Sequence, residues 1–98
     1  MSADFCSVRN YYERAVYDAV PRLARQFPGL AHNPELQADV ACVALNRLPP
    51  RYIRHEVDFV FYLSDRERSE SERQLHDAVQ YACNFVQARH AVKAREGS

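Results

Sequence analysis

The sequence has little of several residue types, and each shortage excludes a class of protein. Two glycines in 98 residues provide no glycine-rich loop for wrapping phosphates. The three cysteines are odd in number, far apart and include no C-x-x-C pair, which argues against a disulfide framework. Thirteen basic residues balance thirteen acidic ones, so no overall field attracts nucleic acid. No apolar stretch approaches the roughly 20 residues that a membrane span needs.

These shortages also bear on location and domain organisation. Reduced cysteines fit a cytoplasmic protein, and Met1 to Val8 has no basic start followed by an apolar run, so we expect no signal peptide. We therefore predict a soluble cytoplasmic protein without membrane contact. The length of 98 residues predicts a single domain over residues 1–98, with residues 1–7 and 94–98 flexible.

The polar residues show no arrangement typical of an enzyme or of a metal site. No two of the histidines and cysteines lie at a chelating spacing. His76, Cys83 and His90 fall on one helical stripe, but each step of seven residues rises roughly 10.5 Å, too far for one ion. The carboxylate pair Glu67 and Glu70 lies in a run of mixed charge typical of a solvated face. We predict that the protein is not an enzyme and holds no metal.

Two helices are predicted in the first half of the chain from apolar residues spaced three and four apart. The first covers Val8 to Phe27, with a kink or a break at Pro21. The second begins at Asn33-Pro34, where the asparagine caps the free amides and proline suits the first helical position. Pro49-Pro50 ends it, and its apolar residues predict burial on most sides.

The spacing of apolar residues then changes from helical to alternating. This predicts a strand from Tyr52 to Leu63, with a bend near Glu56 to Asp58. The chain offers no convincing partner strand, so pairing with another copy in a homodimer is the simplest resolution. A capping box at Ser64 to Glu67 then starts a third helix, predicted from Asp65 to about Lys93. The predicted fold class is mostly α with a short β element.

A basic and aromatic cluster surrounds the end of the second helix. Arg47, Arg51 and Arg54 lie there with Tyr52 and His55 among them. Arginine forks suit phosphate, and arginines and aromatic rings stack on bases. A helix C-terminus favours cations in any case, so Arg47 has the alternative role of stabilising the helix dipole. A second basic cluster is interrupted by acidic residues and is interpreted as a solvated helix face; it contains Arg9, Arg14, Arg22 and Arg25.

One stretch resembles a known family. Asp39 to Tyr52 reads DVACVALNRLPPRY. The ComFB family, named for late competence development, has an Asp followed by an apolar helix and then A-L-N-x-L-P-P-x-Y, which is Ala44 to Tyr52 here. Asn10-Tyr11, at a helix start, is also similar to the family. The resemblance is tight over the DVACVALNRLPPRY stretch and looser from Asn10 to roughly Phe85.

The resemblance implies a small, mostly helical bacterial dimer. Some members are receptors for cyclic dinucleotides, chiefly cyclic di-GMP and in some cases cyclic di-AMP, and link that signal to competence, pili or motility. Other members bind structural zinc through cysteines just before the Asp. Residues 29–37 contain no cysteine here, so we do not expect zinc. The implied partners are a second copy, a cyclic dinucleotide and an unknown downstream protein.

The resemblance also suggests roles for particular residues. We assign phosphate binding to Arg51 and Arg54, and base or ribose binding to Tyr52. Asn46 has two alternatives, a hydrogen bond to ligand or a cap on its own helix end. The remaining predicted ligand-binding residues are Arg47, Asn10, Tyr11 and Arg14, of which the last three line the pocket or brace it. The alternative function is a ligand-free protein–protein adaptor in competence, pilus or motility regulation.

Overall fold

The computed structural model describes residues 2–55 and 63–97. Within these ranges the protein contains three helices and a two-stranded antiparallel sheet. A single 3₁₀ turn, Phe5–Ser7, precedes the first strand. The elements are β1 (Arg9–Asn10), α1 (Tyr11–Ala24), α2 (Pro34–Arg47), β2 (Tyr52–Ile53) and α3 (Asp65–Glu96). The predicted fold class, mostly α with a short β element, is confirmed.

The starts of α2 and α3 are confirmed at the predicted capping residues. Asn33 Oδ1 accepts a hydrogen bond from the Leu36 N–H at 3.1 Å, and Pro34 is the first helical residue. Ser64 Oγ accepts from the Glu67 N–H, while Glu67 Oε2 accepts from the Ser64 N–H. These bonds satisfy backbone amides that have no partner within the helix, which is why short polar side chains set the boundaries.

α1 is shorter than the apolar pattern predicted. It covers Tyr11–Ala24 rather than Val8 to Phe27, because Arg9–Asn10 adopts an extended conformation and pairs in β1. The helix continues through Pro21, so the predicted break does not occur. Apolar spacing alone could not locate these ends, since the extended residues before the helix fit the same pattern.

The double proline determines how the chain leaves α2. Leu48 is extended, with φ −85° and ψ 139°, as steric exclusion before a proline requires. Its N–H still donates to the Ala44 carbonyl at 3.1 Å, and its side chain is buried. The chain therefore turns sharply out of the core and runs directly into β2.

The core lies between the three helices, and its largest fully buried side chains are Val16, Leu30, Val40, Val79 and Cys83. The start of α3 packs on the start of α1, where the hydroxyl oxygens of Tyr12 and Ser71 lie 2.9 Å apart in a buried contact. α2 was predicted to be buried on most sides, and this is wrong at Cys42, which is exposed. No helix among the described residues is both long and apolar enough to cross a membrane.

β2 finds its partner within the same chain. Arg9 pairs with Ile53, and Asn10 pairs with Tyr52. The expectation that the chain offers no partner strand is therefore wrong for Tyr52–Ile53, because a two-residue strand is too short to show alternation. Residues 56–62, which include the predicted bend and most of the predicted strand, lie outside the described residues. Pairing across a homodimer stays a prediction.

Candidate functional site

Asn10 joins the three segments that meet at the two strands. Its Oδ1 accepts from the Tyr12 N–H at 3.2 Å, which caps α1, and from the Arg51 N–H at 3.1 Å, just after the double proline. The Tyr11 N–H donates to the Arg51 carbonyl at 2.7 Å. Asn10 therefore braces the three segments, and it also lines the small cavity beside the strands.

A small cavity lies beside the strands, and we call it the ladder pocket. Its volume is about 250 Å³. Among the described residues that line it, the two arginines outnumber the single carboxylate, so the lining carries a net positive charge. The lining residues are Arg9, Asn10, Tyr11, Glu13, Arg14, Tyr17 and Ile53.

Four of these lining residues were not predicted as site residues: Arg9, Glu13, Tyr17 and Ile53. Arg9 was assigned to a solvated helix face, but it lies in β1 opposite Ile53. Tyr17 carries a signal that sequence reasoning missed, since Arg14 and Tyr17 are three residues apart and share one side of α1. Arg9 gave no comparable signal, because its position depends on the pairing with β2.

Arg51, Tyr52 and Arg54 lie at the same end of the molecule, in and beside β2. All three are exposed, and the Tyr52 side chain is 70% exposed. Arg54 Nε donates to Ser7 Oγ at 3.2 Å, which ties the 3₁₀ turn to the residues after β2. An exposed tyrosine between two arginines can stack on a base while the guanidinium groups contact phosphate.

A second cavity, of about 290 Å³, is lined by Arg51, which is not among the residues that line the ladder pocket. Its walls include the carboxylates of Glu67 and Glu70 as well as the buried Tyr12 and Ser71 hydroxyls. Two carboxylates near one arginine repel an anion. The ladder pocket is therefore the more suitable of the two cavities for a phosphate.

Asn46 and Arg47 make their contacts away from the strands. Asn46 Nδ2 donates to the Cys42 carbonyl at 3.0 Å within α2. The guanidinium carbon of Arg47 lies 3.7 Å from the centroid of the Tyr81 ring, a cation–π contact with α3. Tyr81 stacks in turn on Phe85, with 6.1 Å between ring centroids. Of the eight predicted residues, the structure brings six to the strands and leaves these two on α2, where Arg47 contacts α3.

The thiols of the described region differ sharply in their surroundings. Cys83 is fully buried, and this burial raises the pKa of its thiol because the core disfavours a thiolate. Cys42 is exposed, with the Asn46 amide nitrogen 3.6 Å from its sulfur. Across residues 2–55 and 63–97, no three side chains of His, Cys, Asp or Glu are grouped closely enough to hold a metal ion.

Comparison with known proteins assigns a family. The family model of the late competence development protein ComFB matches residues 9–90 of the 98-residue chain. The match includes both strands, α1, α2 and most of α3, and thus every residue of the ladder pocket. No curated protein and no solved structure matches the chain. Since the family model covers well over half of the sequence, the chain belongs to the ComFB family.

Proposed function

We propose that this protein performs its competence-related role as a receptor for a cyclic dinucleotide, with cyclic di-GMP as the first candidate. It acts as a homodimer and passes the signal on through contacts with another protein, without catalysing a reaction. The competence-related role follows from membership of the ComFB family. The ligand and the dimer are the proposal.

The observation that carries the proposal is the gathering of arginines and tyrosines at the strands. Arg9 and Arg14 line the ladder pocket, while Arg51 and Arg54 flank β2. Guanidinium groups bind phosphate oxygens through paired hydrogen bonds. The exposed Tyr52 ring supplies the stacking surface that a purine needs.

The shape of the ligand supports the dimer. A cyclic dinucleotide presents two phosphates and two purines related by two-fold symmetry, so two copies of this site match its two halves. Exposed aromatic side chains occur around the site as well. Phe5 is 79% exposed and belongs to the 3₁₀ turn that Arg54 contacts. A second copy packed at this end would remove such surface from water.

Titration calorimetry with cyclic di-GMP and with cyclic di-AMP tests the proposal. The wild-type protein should give saturable heat with at least one of them. Arg51→Ala should abolish that heat and leave the melting temperature nearly unchanged, because the main-chain bonds from Arg51 to Asn10 and Tyr11 remain in the variant. Sedimentation velocity on the same samples should give the mass of two chains.

The matched control is Arg66→Ala, which removes the same charge from an exposed position in the first turns of α3. This variant should bind with the affinity of the wild type. Absence of heat from a folded, concentrated wild-type sample would contradict the proposal, and so would unchanged binding by Arg51→Ala.

The alternative is a ligand-free adaptor, and one observation favours it. Tyr81 and Phe85 stack on the surface of α3 although both side chains are more than two-fifths exposed. Exposed aromatic surface is typical of protein-binding sites. Silent calorimetry with both dinucleotides, combined with a purified partner whose binding is lost in Tyr81→Ala and Phe85→Ala, would favour the adaptor.

A further inference from the structure

We infer that the groove between α2 and the second half of α3 is a second binding site, for a small amphiphilic anion. The ligand class is a medium-chain apolar body with a single carboxylate or similar group. None of the residues assigned to the cyclic-dinucleotide site lines this groove, so the inference stands apart from the proposed function.

The groove has the size and the floor of a small-molecule site. Its volume is about 430 Å³, within the roughly 300–1,000 Å³ that such pockets occupy. α2 contributes Leu36 and Val43, and α3 contributes Phe85 and Val86. Phe85 is 42% exposed, so this floor has aromatic surface that water still reaches. An apolar ligand body that covered it would be stabilised by removal of that surface from water.

The charge of the groove comes from an interruption in the apolar stripe of α3. Val79, Ala82 and Val86 are buried and step by three and four residues. Arg89 and Lys93 follow at the same spacing, where the pattern calls for apolar residues, and both line the groove. A sequence that breaks its own packing pattern in this way is typical of a functional position.

The two cations carry their charge without a partner in the part of the chain that the structure describes. Among the described residues, neither Arg89 nor Lys93 forms a salt bridge or a side-chain hydrogen bond. Asp39 is the one carboxylate among the described residues that line the groove. The two positive charges of Arg89 and Lys93 therefore exceed the single negative charge of Asp39. An anionic ligand could therefore pair with Arg89 and Lys93 without breaking an existing ion pair of either residue.

The helix dipole accounts for only part of this arrangement. It favours cations within the last turn of a helix, and α3 ends at Glu96. Lys93 lies in that turn, but Arg89 lies almost two turns before the end. The dipole also gives no reason for Phe85 to remain exposed beside these cations.

Calorimetric titration with decanoate tests the site, with decanol and acetate as matched probes. Decanol keeps the apolar chain without the charge, and acetate keeps the charge without the chain. We expect decanoate to bind at least tenfold more tightly than either. Amide chemical shifts in NMR spectra should move at Val43, Phe85 and Arg89 and should stay in place at Asn10 and Tyr52.

A double variant that lacks both cations provides the second test of the site. Arg89→Gln with Lys93→Gln should weaken decanoate at least tenfold, whereas Arg66→Gln with Arg73→Gln, on the charged start of the same helix, should not change it. Glutamine keeps helical propensity, and circular dichroism checks that both proteins are folded.

Any of four results would overturn the inference. Decanol could bind as tightly as decanoate, the Arg89 and Lys93 double variant could bind like the wild type, or no probe could bind. A change in sedimentation of that double variant would instead show that a second copy of the chain covers the groove, which also contradicts the inference. None of these results depends on whether a cyclic dinucleotide binds at the strands.

Discussion

The ladder pocket and the α2–α3 groove both present arginines, but the two regions are built by different means. At the strands, Asn10 holds α1 and the main chain of Arg51 together across 41 residues of sequence. In the groove, Arg89 and Lys93 are positioned only by their place in one long helix. Because of this difference, we expect the main-chain bonds at the strands to survive replacement of the Arg51 side chain, whereas replacement of Asn10 removes the two bonds that its Oδ1 accepts.

The largest expected effect concerns the thiols beside the groove. Cys42 lines the open groove, and Cys83 is fully buried with a raised thiol pKa. Iodoacetamide reacts with thiolates, so Cys42 should be alkylated orders of magnitude faster than Cys83 in the native protein. Mass spectrometry of peptides over time measures both rates. Equal rates would show that the helices open readily or that the groove is covered.

The second largest effect is expected from the hydrogen bonds that Asn10 accepts at the strands. Asn10→Ala removes a helix cap and a long-range hydrogen bond, so it should lower the free energy of unfolding by about 2 kcal/mol. Asn33→Ala removes only a cap, to the Leu36 N–H, and should lower it by about 1 kcal/mol. Urea denaturation of the two variants gives both values. Equal losses would mean that the bond from Arg51 to Asn10 adds no stability.

A third effect concerns the buried hydroxyl pair behind the strands. Tyr12→Phe leaves the Ser71 hydroxyl without its partner in a buried site, and we expect a loss of about 1–2 kcal/mol. The double variant with Ser71→Ala should lose less than the sum of the two single variants, because the pair then disappears as a unit. Additive losses in the denaturation cycle would argue against a hydrogen bond between these hydroxyls.

The smallest expected effect lies on the α2–α3 face. Arg47→Ala removes the cation–π contact with Tyr81, which is worth about 0.5–1 kcal/mol at an exposed site. Arg22→Ala is its control, since Arg22 is likewise exposed in the last turn of a helix and tests the dipole alone. If the two variants lose the same stability by thermal denaturation, then Arg47 acts only on the dipole.

Local signals in the sequence predicted the helical part of the fold well. The effects of Asn33-Pro34, the capping box at Ser64 and the double proline depend on only a few neighbouring residues. The structure begins or ends a helix at each of them. The pairing of β1 with β2 was not predictable in this way. Two-residue strands have no alternation, and their register depends on hydrogen bonds between segments far apart in sequence.

The candidate site shows the same limit. Arg51, Tyr52 and Arg54 were found because they are neighbours in sequence, and Asn10, Tyr11 and Arg14 because of the family resemblance. Arg9 was assigned elsewhere because only the strand pairing brings it to Ile53. Arg47 was grouped with Arg51 by proximity in sequence, yet the double proline separates their directions and α3 supplies its partner Tyr81.

Calorimetric titration of cyclic di-GMP into three proteins tests the central claim most directly. The proteins are the wild type, Arg51→Ala, and the double variant with Arg89→Gln and Lys93→Gln. The account predicts saturable heat from the wild type and from the groove variant, and none from Arg51→Ala. Heat of equal size from all three proteins, or heat lost only in the groove variant, would contradict a nucleotide site at the strands.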